Sequence, residues 1–316
     1  MKYLENIHCE VCGNKNPQKF SLKFERSDFK VTECQNCEFV FIPQFYREHI
    51  PYDDYRDEEV LSSVRKGNNY IKIRRHKLRI KSIRKYKKTG KLYDIGVGWG
   101  HFLYTAKLMG FDASGVEISE LMHHYAVNDL ELNVAHDNFF NINLPSNNWD
   151  VVTMWDVLEH IEKPAEVVKK VKQILKDDGY FVFQVPQIDS KVARKQKEKW
   201  SMMSLEHINY FSKASIRTLL ENEGFEIVKI KSSYELKLFL MFTVLPWLKG
   251  RKNKNKKRNQ EGISNSERQN FFNKVTKVPK FVIWLGLLAH DIIYKTMSML
   301  NYGEEMIVVA KKSNSK

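Results

Sequence analysis

A glycine-rich segment in the middle of the chain constrains its fold more than any other feature. Asp94 lies at the end of an apolar run, and Gly96, Gly98 and Gly100 follow it. Glycines at this spacing let the backbone turn sharply and approach a ligand closely at a helix N-terminus. Dinucleotide-binding folds have the spacing G-x-G-x-x-G, with the last glycine one place later. An acid two residues before the first glycine suits a ligand with an ammonium or sulfonium cation better than a pyrophosphate.

From the glycine segment onward, apolar β-rich runs alternate with runs of helical spacing. Strands are predicted at 91–95, 112–117, 132–135, 150–155 and 180–185, and helices at 102–109, 121–130 and 165–175. This alternation indicates an α/β fold with a doubly wound, mostly parallel sheet that binds ligands at the carboxyl ends of its strands. Glu117 stands at the end of the second strand, where an acid accepts hydrogen bonds from ribose hydroxyls.

Taken together, these motifs resemble the class I S-adenosylmethionine-dependent methyltransferases. Residues 94–100 are similar to the first motif of that family, 115–119 to the second, and 149–161 and 175–186 to later ones. A segment common in small-molecule and sugar methyltransferases resembles 207–225, and the final antiparallel strand of the family resembles 303–312. Trp99 departs from the small residue that is usual at its position.

The resemblance implies a Rossmann-like, seven-stranded sheet and S-adenosylmethionine (SAM) as the cofactor. It also implies a set of cofactor-binding positions, namely Asp94, Gly96, Gly98, Gly100, Glu117, Asp137, Asn138 and Trp155. Asp137 and Asn138 match the acidic position that contacts adenine in the family.

Histidines and carboxylates near the carboxyl edge of the sheet are the candidates for catalysis, because a neutral nucleophile needs a general base. Asp156, Glu159 and His160 follow the 150–155 strand at i, i+3 and i+4, so one helical turn would place them on one face. His160 is either a base oriented by a carboxylate or, with Glu159, a cap that closes the cofactor pocket. The three side chains also form an oxygen and nitrogen set for a divalent ion, which is the less favoured interpretation. His207 is a second candidate base, with loop anchoring as the alternative role.

All four cysteines lie near the start of the chain, in two C-x-x-C pairs. Cys9 and Cys12 are separated from Cys34 and Cys37 by 21 residues. This spacing is typical of a zinc ribbon, in which two tight turns complete a closed, structural site of four thiolates. Two disulfides of a secreted protein are the alternative. They are disfavoured because no apolar signal segment precedes Cys9 and no cysteine follows Cys37, so a cytoplasmic location is expected.

The net charge of +14 arises from two short segments. Residues 61–91 hold 13 Lys and Arg with no acid, and 251–258 hold six with no acid. Residues 92–186, in contrast, contain 14 acids against six Lys, so the expected cofactor domain is itself acidic. Isoleucines at helical spacing make 70–88 a predicted basic amphipathic helix. Its basic face is either simply solvated or a surface for phosphate-bearing substrate or anionic lipid.

An insertion is predicted before the last strand. Its apolar part is followed at once by the second basic run, so 236–258 is either part of a cap over the active site or a peripheral contact with an anionic membrane. No apolar run reaches the ~18–20 residues that a spanning helix needs. The expected organisation is a zinc ribbon (1–50), a linker with the basic helix (51–90), the methyltransferase core (91–234), the helical insertion (235–302), and the final strand with its tail (303–316).

The leading hypothesis for function is SAM-dependent methylation of a small-molecule or glycan-type acceptor, with oxygen as the favoured acceptor atom and a sugar carbon as the alternative. The ribbon, core and 207–225 segment resemble enzymes of surface-polysaccharide, sugar-nucleotide or secondary-metabolite biosynthesis. One alternative is an RNA methyltransferase in which the ribbon and basic helix hold nucleic acid. A second alternative is a non-catalytic binding protein on a degenerate core, which the intact glycine motif disfavours.

Overall fold

A computed structural model describes residues 7–47, 61, 64, 70–233 and 296–313 of the chain. Most of the predicted insertion and the whole 251–258 basic run lie outside the described residues, so the choice between cap and membrane element falls there too. Among the residues that are described, no helix is long and apolar enough to cross a bilayer.

A seven-stranded sheet forms the centre of the fold. Its strands are β4 (Gly90–Ile95), β5 (Phe111–Glu117), β6 (Asn133–His136), β7 (Trp149–Trp155), β8 (Leu175–Pro186), β10 (Phe225–Ser233) and β11 (Glu305–Lys312). Their order is β10-β11-β8-β7-β4-β5-β6, and β11 runs antiparallel to both of its neighbours. The pairs between β4 and β5, β4 and β7, β5 and β6, and β7 and β8 are parallel. This topology confirms the predicted doubly wound, Rossmann-like methyltransferase fold.

Six α-helices have assigned ends among the described residues. They are α1 (Tyr70–Ile83), α2 (His101–Leu108), α3 (Glu120–Asn128), α4 (Pro164–Ile174), α5 (Lys191–Gln196) and α6 (Lys213–Asn222). Short 3-10 turns lie at Pro17–Lys19, Gln44–Tyr46, Leu158–His160 and Lys197–Lys199.

The central strand β7 shows why the sheet carries helices on both faces. All seven of its residues are buried. Val152 and Met154 pack into one hydrophobic cluster, whereas Val151 and Trp155 pack into another. Because successive side chains of a strand point to opposite faces, a strand that is apolar throughout is stable only when both faces are covered.

The predicted basic helix forms as α1 and covers part of the cofactor domain. Ile80 and Ile83 are fully buried, in the same cluster as Phe102 and Leu103 of α2. Arg79 is also buried, on the same helix. The helix therefore anchors to the core through its apolar stripe, and part of its charge points inward.

Residues 7–47 build most of a second, smaller sheet around the cysteines. Strands β1 (Phe20–Glu25) and β2 (Lys30–Cys34) form an antiparallel hairpin, and β3 (Val40–Phe41) pairs with β2. The fourth strand of this sheet is β9 (Asn209–Tyr210), which pairs with β3 and comes from the middle of the methyltransferase core. Sequence reasoning did not anticipate this pairing, since two residues are too short to show a strand pattern.

Candidate active site

The glycine loop joins β4 to α2 and uses backbone conformations that favour glycine. Gly96, Gly98 and Gly100 have φ of 74°, 55° and 74°. A Cβ at Gly96 would lie 2.5 Å from Cγ2 of Val157, so that position requires close backbone approach. A Cβ at Gly98 would meet no atom of the described chain within 4 Å. The loop therefore leaves open space beside Gly98, which is the cradle expected for a bound ligand.

Asp94 is buried at the carboxyl end of β4 and is 1% exposed. The hydroxyl of Thr153 donates a 2.6 Å hydrogen bond to its Oδ1. Burial raises the pKa of Asp94 to about 8, and the hydrogen bond and nearby Arg79 only partly oppose this effect. A buried carboxyl with a raised pKa has a strong tendency to pair with a cation, because a positive charge restores the stability of its ionised form.

Glu117 holds the glycine loop from the end of the neighbouring strand. Its Oε2 accepts a 2.6 Å hydrogen bond from the amide of Gly98, and its Oε1 accepts one of 2.8 Å from the amide of Ser119. Each carboxylate oxygen has two lone pairs, so both oxygens can still accept a hydroxyl donor from a ligand. Glu117 thus orients the loop and keeps acceptor capacity at the same edge of the sheet.

Trp155 ends β7 beside this loop, and its indole carries an unused donor. The Nε1 atom is buried and has no hydrogen-bond partner among the described residues. The guanidinium of Arg79 lies over the indole, 4.1 Å from the ring centroid. Nη2 of Arg79 is also 3.6 Å from Oδ2 of Asp156. Sequence reasoning missed Arg79, although its place directly before the buried Ile80 was a usable signal.

Asp137 and Asn138 lie in the exposed loop after β6. Oδ1 of Asp137 accepts hydrogen bonds from the amide of Asn138 and from the side chain of Asn141, at 2.6 and 2.8 Å. Oδ1 of Asn138 accepts from the amide of Phe140 at 3.0 Å. These bonds fix a polar turn at the carboxyl end of β6, in the same row of strand ends as Asp94 and Glu117.

Asp156 does not share a helical turn with Glu159 and His160, contrary to the expectation from their spacing. Its φ is 59°, and only Leu158–His160 forms a 3-10 turn. Gln184 donates a 2.8 Å hydrogen bond to Oδ1 of Asp156. Asp156 adopts the left-handed backbone conformation, which directs its carboxylate toward Gln184 of β8 and toward Arg79.

Glu159, His160 and His207 come together instead, with one ligand atom from each lying within 4.8 Å of the others. The rings of His160 and His207 are edge to face with centroids 4.8 Å apart. Glu159 is 1% exposed, and its Oε2 has no hydrogen-bond partner in the described part of the chain. We call Glu159, His160 and His207 the acceptor side, and Asp94, Glu117 and the glycine loop the cofactor side.

Hydrogen bonds to the backbone orient both histidines. Nδ1 of His160 donates to the carbonyl of Glu206, and Nδ1 of His207 donates to that of Met202, each at 2.8 Å. In neutral imidazoles this arrangement leaves Nε2 as the acceptor. Burial lowers the pKa of His160, and burial together with neighbouring His160 lowers that of His207 to about 4. Both rings are therefore neutral near pH 7.

Burial also determines the ionisation of Glu159. It raises the pKa of this carboxyl well above the usual range, and the Asp156 carboxylate raises it further. Without a cation nearby, burial favours the neutral form of this carboxyl. The acceptor side accordingly holds two neutral imidazoles and a buried carboxyl, which suits proton transfer and also matches the nitrogen and oxygen donors of a divalent metal site.

The four cysteines converge on one another within the first 37 residues. Sγ of Cys9 lies 3.5 Å from that of Cys37, and Sγ of Cys12 lies 3.7 Å from that of Cys34. None of them is in a disulfide. Four thiolates at about 2.3 Å from one zinc ion stand about 3.8 Å apart, so the geometry is compatible with zinc. Burial raises the pKa of Cys12 to about 11, and the bond to Cys9 raises that of Cys37, so four thiolates would require a cation between them.

The solved structures that are similar to this chain include three methyltransferases. A SAM-dependent methyltransferase from Archaeoglobus fulgidus is 22% identical, with 81% of this chain and 100% of that chain covered at a TM-score of 0.50. One from Thermotoga maritima is 18% identical over 78% and 94%, with a TM-score of 0.46. Phosphoethanolamine N-methyltransferase 2 from Haemonchus contortus, solved with SAM, is 17% identical over 76% and 53%, with a TM-score of 0.49. The comparison with curated proteins gave no match.

The family assignment comes from the sequence. The methyltransferase domain family matches residues 70–230, which is about half of the chain. The chain belongs to this family and has the fold of class I SAM-dependent methyltransferases.

Proposed function

We propose that this protein transfers a methyl group from SAM to a hydroxyl of a small-molecule or glycan-type acceptor. One observation carries the proposal: a pair of neutral histidines with free Nε2 atoms stands beside a glycine loop that two buried acids flank. Val157 joins the two sides, since it packs against Gly96 and directly precedes the turn that contains Glu159.

In our proposal the cofactor side binds SAM together with Trp155 and the loop after β6. Asp94 offers a buried carboxyl to the cationic methionine part, and Glu117 offers acceptors to the ribose hydroxyls. Gly98 leaves room for the cofactor chain, whereas Gly100 packs closely against Leu130 and Leu132. Asp137 with Asn138 would contact the adenine. Trp155 has a buried Nε1 donor ready for a ligand atom.

The acceptor side would activate the nucleophile. Bound SAM supplies a methyl group on a sulfonium, whose leaving sulfur becomes a neutral thioether. In our proposal Nε2 of His160 takes the proton of the acceptor hydroxyl as its oxygen forms the new bond to carbon. His207 and Glu159 hold the ring of His160 and the acceptor in place, and Asp156 fixes the adjoining turn through Gln184 and Arg79.

A divalent ion is the second chemical option for the acceptor side. In that case Glu159, His160 and His207 would be its ligands, because Asp156 is bound elsewhere. A bound cation would ionise Glu159 and give its unpartnered Oε2 a contact. Methyl transfer that survives exhaustive chelation supports the base mechanism, and activity restored by added Mg²⁺ or Mn²⁺ supports the metal.

We further propose that the four cysteines hold one structural zinc ion. The S–S distances and the absence of disulfides among the described cysteines support this assignment. All four positions are thiolates, so the ion would have no open coordination site for catalysis.

The basic segment favours a small acceptor over RNA. Arg79 is buried against Trp155, and Lys87 pairs with Asp150 and Asp178. Part of the charge that suggested nucleic acid is therefore paired or packed within the chain itself.

The test is a methyl-transfer assay with labelled SAM and three classes of acceptor: hydroxylated sugar nucleotides, free oligosaccharides and structured RNA. We expect label in a sugar hydroxyl, with release of S-adenosylhomocysteine and loss of transfer in His160→Gln. Transfer to RNA alone, with affinity that falls steeply between ~50 and 200 mM salt, would support the RNA alternative instead. SAM binding without transfer to any class would support a non-catalytic role.

A further inference from the structure

The loop that carries His207 (198–208) is held at both ends by residues 7–47, which we call the cysteine ribbon. At its start, Nη1 of Arg26 donates to the carbonyls of Glu198 and Met203, at 3.1 and 3.2 Å. At its end, the amide of Ile42 donates a 2.9 Å hydrogen bond to the carbonyl of Ile208. The ribbon and the acceptor side are therefore mechanically connected, although they are far apart in sequence.

Asn209 links this loop to the turn that carries Glu159 and His160. Its Nδ2 donates to the carbonyl of Leu158 at 3.2 Å and to that of Ile161 at 2.6 Å, one on each side of the turn. The Asn209 side chain is fully buried. The hydrogen bond to Leu158 is buried and the one to Ile161 is partly buried, so leaving these carbonyls without a donor would be costly.

The backbone of Asn209 belongs to the ribbon sheet at the same time. In the β3–β9 pair Asn209 stands opposite Phe41, and Phe41 stands opposite Thr32 of β2. Strand β2 ends at Cys34, the first cysteine of the second C-x-x-C pair. A short path of paired strands thus runs from the cysteine cluster to Asn209.

We propose that Asn209 is a positioning residue for the acceptor side, and that the cysteine ribbon acts on the site through it. Asn209 fixes the carbonyls on both sides of the His160 turn while its strand fixes the neighbouring His207. The two imidazoles then keep the separation and ring orientation that leave Nε2 free. This inference rests on the proposed function for its purpose, but the geometry it claims is testable without any methyl acceptor.

The test compares Asn209→Ala with Asn222→Ala. Asn222 is the matched control, since its Nδ2 also donates to a backbone carbonyl of the ribbon, that of Val11 at 3.3 Å. It lies in α6 and, within the described part of the chain, makes no hydrogen bond to the acceptor side. The readout is the ring ¹⁵N chemical shifts of His160 and His207 at one fixed, mildly alkaline pH. These shifts report which ring nitrogen carries the proton, and that choice depends on the hydrogen bond of Nδ1.

We expect wild type and Asn222→Ala to show Nδ1–H at both rings. In Asn209→Ala the ratio of Nδ1–H to Nε2–H should fall about fivefold at His160. The reason is that the turn shifts without Asn209, which weakens the hydrogen bond from Nδ1 of His160 to the Glu206 carbonyl. An unchanged ratio in folded Asn209→Ala, or the same fall in Asn222→Ala, would overturn the proposal.

A second variant keeps the test decisive if Asn209→Ala does not fold. Arg26→Gln releases the start of the loop at Glu198 and Met203 and should change the ring shifts of His207. Unchanged His207 shifts in that variant would overturn the bracing role. SAM binding is measured by calorimetry for wild type and for each variant. If wild type does not bind SAM, the proposed function is wrong, whereas the ring shifts test the role of Asn209 separately.

Discussion

The cofactor side and the acceptor side differ in how they are built. On the cofactor side, Asp94 and the glycine loop lie within seven residues, and Glu117 binds the loop directly through the amide of Gly98. On the acceptor side, Glu159 and His160 are brought to His207 only by contacts between distant segments. Local geometry therefore defines the cofactor side, whereas tertiary packing, with the ribbon as part of it, defines the acceptor side.

A substitution on one side should therefore leave the structure of the other side unchanged. A change in the ribbon should disturb the histidines and spare the glycine loop, because no strand of the ribbon sheet pairs with β4 or β5 among the described strands. A change at Asp94 should do the reverse.

The largest effect is expected for Cys34→Ser or for removal of the proposed zinc. Structural zinc sites contribute up to about 10–16 kcal/mol in isolated peptides, so we expect the melting temperature to fall by roughly ten degrees or more. At temperatures where the variant is still folded, its SAM affinity should differ from that of wild type by less than about threefold, which is a small difference in binding free energy. Thermal unfolding, zinc analysis and calorimetry make the measurement.

Wild type is treated either with a metal chelator, which removes zinc, or with a thiol reductant, which breaks disulfides, and each treatment is the control for the other. Zinc predicts destabilisation by the chelator and none by the reductant. Destabilisation by the reductant alone would mean disulfides instead of a metal site.

The next effect is a pH dependence of stability that belongs to Asp94. Its pKa is about 8 in the folded chain against an ordinary value of 3.8, so the folded state holds the proton more tightly. This contribution to stability is present at low pH and is lost as the pH rises from about 4 to about 8.

Asp94→Asn removes this ionisation while keeping the shape of the side chain. At pH 8 the variant should unfold at a higher denaturant concentration than wild type, and its free energy of unfolding should be larger by on the order of a few kcal/mol. This difference in free energy should disappear toward pH 4. Denaturant unfolding of both proteins across this range is the measurement. Parallel stability curves for the two proteins would show that Asp94 is not buried as described.

A smaller effect of the same substitution concerns the ligand. Asp94→Asn should weaken SAM binding about 10- to 100-fold, since a hydrogen bond to a charged group is worth about 1.5–3 kcal/mol. The matched control is Asp112→Asn, an exposed acid of β5, which should bind as wild type does. Equal losses in both variants would point to overall charge as the cause.

The smallest effect distinguishes two glycines of one loop. Gly98→Ala places a methyl group in open space, so it should lower SAM affinity about tenfold and cost only about 1 kcal/mol of stability from its positive φ. Gly96→Ala meets Val157 and should destabilise the protein more than it alters binding in the folded fraction. Thermal melts paired with SAM titrations decide the matter, and the opposite ranking would contradict the loop geometry.

The same contrast explains what could be predicted from the sequence. The sheet and the cofactor side were predictable because Asp94, the glycines and Glu117 follow fixed spacings at strand ends. The spacing of the two C-x-x-C pairs likewise predicted that the four cysteines come together at one site. Asn209 and Arg79 were missed because their roles depend on β9 joining the ribbon and on α1 packing over Trp155. The spacing of Asp156 misled for a related reason, since a positive φ at one residue redirected its side chain.

The most direct test of the account is calorimetric titration of SAM into wild type and His160→Gln. The account predicts saturable binding in wild type, and binding within about threefold of it in His160→Gln, because His160 belongs to the acceptor side. No binding by wild type at high micromolar SAM would contradict the proposed function. A loss in His160→Gln as large as that in Asp94→Asn would contradict the separation of the two sides.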